Sequence, residues 1–276
     1  MAEFTTSDGL KLYYEEAGTG QPVLCLAGLT RNARDFDFMA PHLPDVHLIR
    51  MDYRGRGKSD YDPDFTNYNI IREAHDAVEL LDHLGLAQVV ILGTSRGGLI
   101  AMVLAQMFKE RLRGVILNDI GPDISLTGLE RIMKYIGHDP DYADYDQAAE
   151  GLKSGLAKGF PDVWLARWRE HAEHLWQARE GRLRLRYDPK LAEAFQAQID
   201  SGEVPDLWPL YDCLMGLPLA LIRGANSDLL EIATAEKMQA RHPGMIMATV
   251  PNRGHVPFLD EVEALTAIKS LLEQTR

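Results

Sequence analysis

Short apolar runs alternate with longer segments of helical periodicity along most of the chain, and this alternation limits the fold more than any other feature. It is typical of parallel strands joined by helical crossovers. The sequence therefore predicts an α/β fold with a mostly parallel central sheet flanked by helices. The runs that predict strands cover residues 23–27, 46–51, 89–92, 115–117, 219–222 and 246–250, and an earlier run at 10–16 predicts an antiparallel edge strand.

Helices are predicted between these strands. Residues 69–84 carry apolar side chains at helical spacing, and Gly85 follows as a stop signal. A second helix should begin beside Gly97 and continue to Met107, and a third should begin near Asp260 and run towards the C-terminal end.

The alternation fails over residues 122–209. This segment has helix-period patterns but no clear run for a buried strand, and it contains all four tryptophans of the chain. It is predicted to be a helical cap inserted into a core domain formed by residues 1–121 and 210–276. Trp164 and Trp168 are spaced four apart and share a helix face, so they either pack the insert onto the core or line a ligand cavity.

Charge and composition narrow the class of protein. The 276 residues carry a net charge of -12, which disfavours binding to a phosphate backbone, and no apolar run approaches the length of a membrane span. The start of the chain lacks the pattern of a secretion signal, and Cys25 and Cys213 are too few for a disulfide framework. We therefore expect a cytoplasmic protein, monomeric or homodimeric, that acts on a small molecule without nucleic acid or membrane partners.

The most informative motif is a G-x-S-x-G sequence at residues 93–97. It directly follows a predicted strand and directly precedes a predicted helix. In such a sharp turn, glycines remove the side chains that would collide, and Ser95 projects its hydroxyl beside the N-terminus of the helix, where developing negative charge is favoured. The alternative is that Ser95 only caps the helix. The order of strand, turn and helix favours a nucleophile.

On these residues the whole chain resembles the α/β-hydrolase fold family, in particular serine esterases and lactonases that carry a helical cap. The resemblance implies a catalytic triad in the order nucleophile, acid, histidine. His255, in a loop after the last predicted strand, fits the histidine, and Asp228, in the loop after residues 219–222, fits the family's usual acid position. Asp119 is the competing acid because some family members carry it after the preceding strand. We favour Asp228.

The resemblance also implies an oxyanion hole. Where the family often has a His-Gly-x sequence after an early strand, this chain has Ala27-Gly28-Leu29, so the histidine is replaced while the backbone donor is kept. The backbone N–H groups of Leu29 and Arg96 are therefore the expected donors. Residues 52–59 are similar to the family's D-x-R-G-x-G-x-S loop, which we interpret as structural.

The expected activity is hydrolysis of a carboxylic ester or lactone through an acyl-enzyme. Serine at the nucleophile position disfavours the family's dehalogenases and epoxide hydrolases. Carbon–carbon bond hydrolysis of a diketone from aromatic degradation is an alternative with the same active-site scheme. A slow ligand-sensing protein, and a lyase or acyltransferase that uses the same residues, are further alternatives. No nucleotide-binding glycine motif follows a strand and no ligand spacing favours a metal, so no cofactor is expected.

Three arginines indicate the substrate class. Arg96 follows the nucleophile, and Arg31 and Arg34 lie in the oxyanion loop, so their guanidinium groups could approach the pocket of an otherwise acidic protein. We therefore expect a substrate that bears a carboxylate, held by at least one of them. The alternative is that Arg96 points to solvent or pairs with a neighbouring acid.

Overall fold

The computed structural model describes residues 2–200 and 206–276. In this part of the chain, eight strands form one sheet in the order β1-β2-β4-β3-β5-β6-β9-β10, and β7 pairs with β8 in a separate hairpin. The strands are β1 (Ala2–Thr5), β2 (Lys11–Ala17), β3 (Gln21–Leu26), β4 (Val46–Met51), β5 (Val89–Thr94), β6 (Leu112–Asn118), β7 (Trp176–Arg179), β8 (Arg182–Leu185), β9 (Leu219–Gly224) and β10 (Ile246–Val250).

The helices lie between these strands and after the last one. They are α1 (Ile70–His83), α2 (Arg96–Met107), α3 (Leu126–Met133), α4 (Tyr145–Leu156), α5 (Leu165–Leu175), α6 (Leu191–Asp200), α7 (Trp208–Asp212), α8 (Ile232–Arg241) and α9 (Val262–Gln274). Across the described residues, none of them combines the length and the apolar character that a membrane crossing would need.

The predicted α/β architecture is confirmed. The six predicted parallel strands correspond to β3, β4, β5, β6, β9 and β10, which pair in parallel with their neighbours. The run predicted as an antiparallel edge strand is β2, which pairs antiparallel with β4 as expected but is not the edge, because β1 lies outside it. Strand β1, which pairs antiparallel with β2 at the sheet edge, was not predicted, because four residues are too few to establish a period.

Alternate residues of the strands face opposite sides of the sheet and form two apolar layers. One layer combines Leu24, Ile91 and Leu117 with residues of α1, α2 and α8. The other combines Cys25, Leu92 and residues of α9. Both faces of the sheet are covered, which explains why the central strands read as continuous apolar runs.

The strand order reverses between β3 and β5. From β3 the chain steps outward to β4, and β5 then returns to the other side of β3. Loops at the carboxyl ends of such a pair diverge and leave a crevice, which is the usual ligand site of an open α/β sheet. The loop beginning at Gly28 and the turn at Ser95 both leave the sheet at this point.

The segment predicted as a cap lies between the neighbouring parallel strands β6 and β9. It contains α3 to α6, the start of α7 and the hairpin of β7 and β8. The hairpin departs from the expectation of a wholly helical segment. Its two strands have only four residues each, which is too short for a clear strand pattern in the sequence. The division into core and cap remains a prediction, and residues 122–209 are called the insert below.

Candidate active site

The turn at Ser95 has the backbone that the motif predicts. Ser95 lies between β5 and α2 with φ 50° and ψ -114°, in a region that costs energy for any residue with a side chain. The flanking glycines make the turn possible. A Cβ on Gly93 would lie 2.5 Å from the carbonyl carbon of Gly97, and one on Gly97 would lie 2.0 Å from the Leu26 carbonyl oxygen.

Hydrogen bonds to β6 fix this turn. The Ser95 N–H donates to the Asn118 carbonyl over 3.0 Å. The Asn118 amide in turn donates to Thr94 Oγ1 and to the Pro257 carbonyl, over 3.1 and 3.3 Å. The Ser95 side chain is therefore held on a rigid support and is partly exposed at the start of α2.

His255 connects Ser95 to a carboxylate. Its Nε2 lies 3.0 Å from Ser95 Oγ, and its Nδ1 lies 2.7 Å from Asp119 Oδ2. With the proton on Nδ1, the imidazole donates to Asp119 and accepts from the Ser95 hydroxyl. This tautomer leaves Nε2 free to take the serine proton.

The sequence-based choice of Asp228 as the carboxylate beside His255 is wrong in this structure. Asp119 directly follows β6, is fully buried, and makes the contact. The Asp228 carboxylate forms an ion pair with Arg131 of α3 instead. Strands β6 and β9 are neighbours, so their ends lie side by side, and either loop could supply the acid. The sequence order alone did not separate them.

The end of β9 and the loop that carries Asp228 still serve the site through two other groups. The Gly224 N–H donates to Asp119 Oδ1 over 2.8 Å, and the Ser227 hydroxyl donates to Asp119 Oδ2 over 2.6 Å. These two hydrogen bonds hold the Asp119 carboxylate in place beside His255. Sequence analysis missed Ser227, because a serine in a loop has no pattern that reveals this partner.

The loop after β3 lies directly beside the serine. A Cβ on Gly28 would be 3.9 Å from Ser95 Cβ. Leu29 follows in this loop, and Arg96 is the first residue of α2, where backbone N–H groups have no partner within the helix. The two expected oxyanion donors thus belong to the two chain segments that meet at Ser95.

The guanidinium of Arg96 is not available to a substrate. It is buried, donating from Nε to Glu73 Oε2 over 2.6 Å and from a terminal nitrogen to the Tyr68 carbonyl over 3.0 Å. The expectation that this side chain binds a carboxylate substrate is corrected here. The alternative of a pairing with a neighbouring acid is what the structure contains.

The other two arginines reach from the loop to α5 of the insert. Arg34 donates to the Glu173 carbonyl over 2.6 Å. Arg31 donates to Asp35 Oδ1 and to His171 Nε2, each over 3.0 Å, and its Cγ would be 3.2 Å from a Cβ on Gly28. Arg31 Cγ and Ser95 Cβ therefore lie within 4 Å of the same point, so the stem of the Arg31 side chain lies beside the serine.

The two predicted substrate-binding tryptophans occupy different environments. The side chain of Trp164 is 68% exposed. Trp168 is only 1% exposed and packs against Phe160 and Phe258, with ring centroids 5.4 and 5.8 Å apart. Because Phe258 belongs to the loop after His255, Trp168 packs the insert onto the core, as one of the two interpretations of the sequence proposed.

Two histidines of α5 remain neutral near the site. Burial, reinforced by the Arg31 guanidinium, holds the pKa of His171 well below its ordinary value. Burial, together with the charges of Arg34 and Arg31, lowers the pKa of His174 to about 3. A neutral His171 can accept the hydrogen bond from Arg31, so this contact depends on the deprotonated ring.

Known proteins share this architecture. A family model described as alpha/beta hydrolase fold matches residues 21–262. The chain is similar to a 3-hydroxybutyrate-oligomer hydrolase of Cupriavidus necator, with 33% identity over 92% of this chain and 90% of the relative.

Solved structures agree with this match. An alpha/beta hydrolase from Novosphingobium aromaticivorans superposes with a TM-score of 0.93 and 39% identity, over 99% of this chain and 97% of that one. A thermophilic esterase from Thermogutta terrifontis, with malate bound, has a TM-score of 0.71 over 99% of this chain and 98% of that one. At 23% identity it supports the fold alone. The chain belongs to the alpha/beta hydrolase fold family.

Proposed function

We propose that this protein is a serine hydrolase that cleaves a carboxylic ester or lactone through an acyl-enzyme. Ser95 is the nucleophile, His255 the general base and acid, and Asp119 the group that orients the imidazole. The observation that carries the proposal is the pair of contacts from Ser95 Oγ to His255 Nε2 and from His255 Nδ1 to Asp119 Oδ2, of 3.0 and 2.7 Å.

Acylation follows from these contacts. His255 Nε2 takes the Ser95 proton as Oγ attacks the carbonyl carbon, and the carbonyl oxygen becomes an oxyanion that accepts from the Leu29 and Arg96 N–H groups. The imidazolium then protonates the leaving alcohol as its bond to the carbonyl carbon breaks. Asp119 keeps its contact with Nδ1 and stabilises the imidazolium.

Deacylation repeats the same steps with water as the nucleophile. His255 removes a proton from the water as it attacks the acyl carbon, and the second oxyanion occupies the same donors. The imidazolium returns its proton to Ser95 Oγ as the acid leaves. No group beyond these residues is needed to balance the reaction.

The substrate class is argued from Arg31 and from the relatives. A relative of 33% identity is named a 3-hydroxybutyrate-oligomer hydrolase, and a hydroxy acid joined to its own kind forms esters that end in a carboxylate. Arg31 is 21% exposed in its side chain and lies beside the loop that faces Ser95. We propose a short ester that bears a carboxylate, with Arg31 as its counter-charge.

We also propose that the insert forms a lid over Ser95. Gly159 lies against Gly254, next to His255, where a Cβ on Gly159 would be 3.4 Å from the Gly254 Cα. On the other side, the partly buried Leu29 packs against a cluster that includes Ile136 and Leu185 of the insert. The insert thus contacts the core next to both the base and the oxyanion loop.

The test is turnover of p-nitrophenyl acetate and of the linear dimer of 3-hydroxybutyrate. Wild type should release product steadily from both, and Ser95→Ala should lower kcat by a factor on the order of 10⁶ because it removes the nucleophile. Activity that survives in Ser95→Ala would overturn the proposal. Binding without turnover by wild type would favour a ligand sensor.

The role of Arg31 is tested by Arg31→Gln, with Arg34→Gln as the matched control. We expect Arg31→Gln to raise KM for an ester with a free carboxylate about tenfold, and to leave KM for its methylated counterpart within about twofold, since a charge-assisted contact is worth roughly 1.5–3 kcal/mol. Equal effects on the two esters would show that Arg31 only supports the loop.

A further inference from the structure

A buried charge network lies beneath the proposed oxyanion hole. Glu73 of α1 is fully buried and touches two guanidinium groups. Arg96 Nε donates to its Oε2 over 2.6 Å, and Arg56 Nη1 is 2.9 Å from its Oε1. Arg56 is also fully buried. The hydrolytic mechanism above uses none of these three side chains.

Both ends of the network reach the proposed oxyanion donors. Arg56 Nε donates to the Leu29 carbonyl over 3.1 Å, and Arg96 supplies the second donor from its own backbone. We propose that Glu73 is a positioning residue that, through Arg56 and Arg96, sets the separation and direction of the two oxyanion N–H groups. This inference rests on the proposed function.

Hydrogen bonds from buried side chains hold the backbone on both sides of the Leu29 N–H. The Tyr53 hydroxyl donates to the Ala27 carbonyl over 3.0 Å, and Arg56 holds the Leu29 carbonyl. The Arg56 guanidinium lies 5.6 Å from the ring centroid of Tyr53 and 5.3 Å from that of Tyr68. A segment held at the carbonyl groups of residues 27 and 29 has little freedom to move the Leu29 amide that lies between them.

Charge explains why a carboxylate occupies the centre of this network. Two buried guanidinium groups repel each other. Burial is the main cause that lowers the pKa of Arg56; the charge of Glu73 comes next and opposes it, and the smaller effect of Arg96 lowers the pKa further. The carboxylate therefore holds Arg56 and Arg96 together, and its neutralisation would let them separate.

The chain provides a matched control in the same elements. Arg54 and Asp76 come from the same loop and helix as Arg56 and Glu73, and both are fully buried. Arg54 donates to Asp76 over 2.7 and 2.6 Å and also to Asp62 and Asp8. These side-chain contacts are made to Asp76, Asp62 and Asp8 and not to Leu29, Glu73 or Arg96, so loss of the Asp76 charge should affect stability without moving the oxyanion donors.

The experiment compares an ester with its thiono analogue, in which sulfur replaces the carbonyl oxygen. Sulfur is larger and a weaker acceptor, so a well-positioned hole favours the oxygen ester. In Glu73→Gln we expect kcat for the ester to fall at least about tenfold at nearly constant KM, because displaced donors lose contacts made only in the transition state. The ester-to-thionoester ratio of kcat/KM should fall by a similar factor.

Asp76→Asn should keep the wild-type ratio even where it lowers the melting temperature. Arg56→Lys is a second variant. It keeps the positive charge, but an ammonium lacks the planar guanidinium that reaches Glu73 and Leu29 at the same time, so the ester-to-thionoester ratio should fall here as well. If circular dichroism shows that Glu73→Gln does not fold, the ratio measured for Arg56→Lys tests the inference instead.

Several outcomes would overturn the inference. One is an unchanged ester-to-thionoester ratio in both Glu73→Gln and Arg56→Lys, and another is an equal fall of this ratio in Asp76→Asn. A third is a kcat that rises in Glu73→Gln, which would mean that net positive charge, and not the position of the donors, determines the rate. Ser95→Ala separates the two claims. If it keeps full activity, the proposed function fails. If it is inactive while the ratios do not move, only the role of Glu73 fails.

Discussion

Asp119 illustrates how a single residue can be placed by its neighbours. Its backbone has φ 55°, so the chain turns sharply at the end of β6 and directs the carboxylate back across the sheet edge. There it accepts from Gly224, Ser227 and His255. Asp228 lies four residues after the end of β9, and its carboxylate contacts Arg131 and not His255.

Substitution of the two aspartates should separate their roles. We expect Asp119→Asn to lower kcat by a factor on the order of 10⁴, because an amide no longer holds the imidazole in the productive tautomer. Asp228→Asn should stay within about threefold of wild type, since a partly exposed ion pair contributes little. Steady-state kinetics on p-nitrophenyl acetate provide the measurement. A large loss in Asp228→Asn with an active Asp119→Asn would reverse the assignment.

At this scale, residues whose function depends on a local motif could be predicted and residues that depend on tertiary contacts could not. The G-x-S-x-G spacing placed Ser95 at a turn because glycines are needed on both sides. Nothing in the sequence around Glu73 or Ser227 indicates their partners, because those contacts join segments far apart in the chain.

The turn between β5 and α2 is the element on which the site depends most. A Cβ on Gly97 would lie 2.0 Å from the Leu26 carbonyl oxygen, which is backbone of β3 and cannot move without disturbing the sheet. The close approach of α2 to β3 therefore requires glycine. The same approach brings the oxyanion loop next to Ser95.

Gly97→Ala should consequently destabilise the fold by about 3 kcal/mol or more, as overpacking against backbone does. The control is Gly155→Ala in α4, where a Cβ would meet nothing within 4 Å. That change should raise the free energy of unfolding by roughly 0.5–1 kcal/mol, since alanine favours a helix. Urea denaturation measures both. A neutral Gly97→Ala would contradict the close approach.

Helix α5 should make stability depend on pH. The unfolded chain protonates its histidines near pH 6.5, whereas folded His174 resists protonation to about pH 3. The unfolded state therefore binds more protons in between, and stability falls as pH falls below about 6.5. From pH 7 to pH 5 the loss from His174 should reach about 2 kcal/mol, and His171 should act in the same direction.

Urea denaturation at the two pH values tests this. The double variant His171→Gln and His174→Gln should lose less stability between pH 7 and pH 5 than wild type. His138→Gln, at an exposed position of the insert, should behave like wild type. An identical pH dependence in the double variant would mean that the two rings protonate in the folded state.

For the whole molecule, the periodicity of the sequence was sufficient to predict the parallel sheet and three of its flanking helices, α1, α2 and α9, but not α8. Long buried strands and amphipathic helices carry their own signal, because burial is set by the same period as the local structure. The arrangement of the insert could not be predicted from the sequence, since it depends on contacts such as those of Arg34 and Trp168 with distant segments of the chain.

The core and the insert should unfold together. Trp164, Trp168 and Trp176 lie well inside the insert, whereas Trp208, at its end, packs against the apolar layer of the main sheet beside Tyr211. Tryptophan fluorescence therefore reports mostly on the insert, and far-ultraviolet circular dichroism reports on the whole chain. Because α5 is hydrogen-bonded to the loop after β3, the two urea transitions should coincide within about 0.2 M.

Arg34→Ala, which removes one of these hydrogen bonds, should move the fluorescence transition to lower urea concentration. Separate transitions in wild type would indicate independent units.

The bonds between that loop and α5 have one more consequence, for the grafting of inserts between enzymes. Asn32 and Arg34 donate to the main-chain carbonyls of His174 and Glu173, over 2.9 and 2.6 Å. A carbonyl acceptor is the same whatever side chain its residue carries. A foreign helix that presents its last turn at this place would be held equally well, so substrate range could be exchanged through the insert while the machinery around Ser95 is kept.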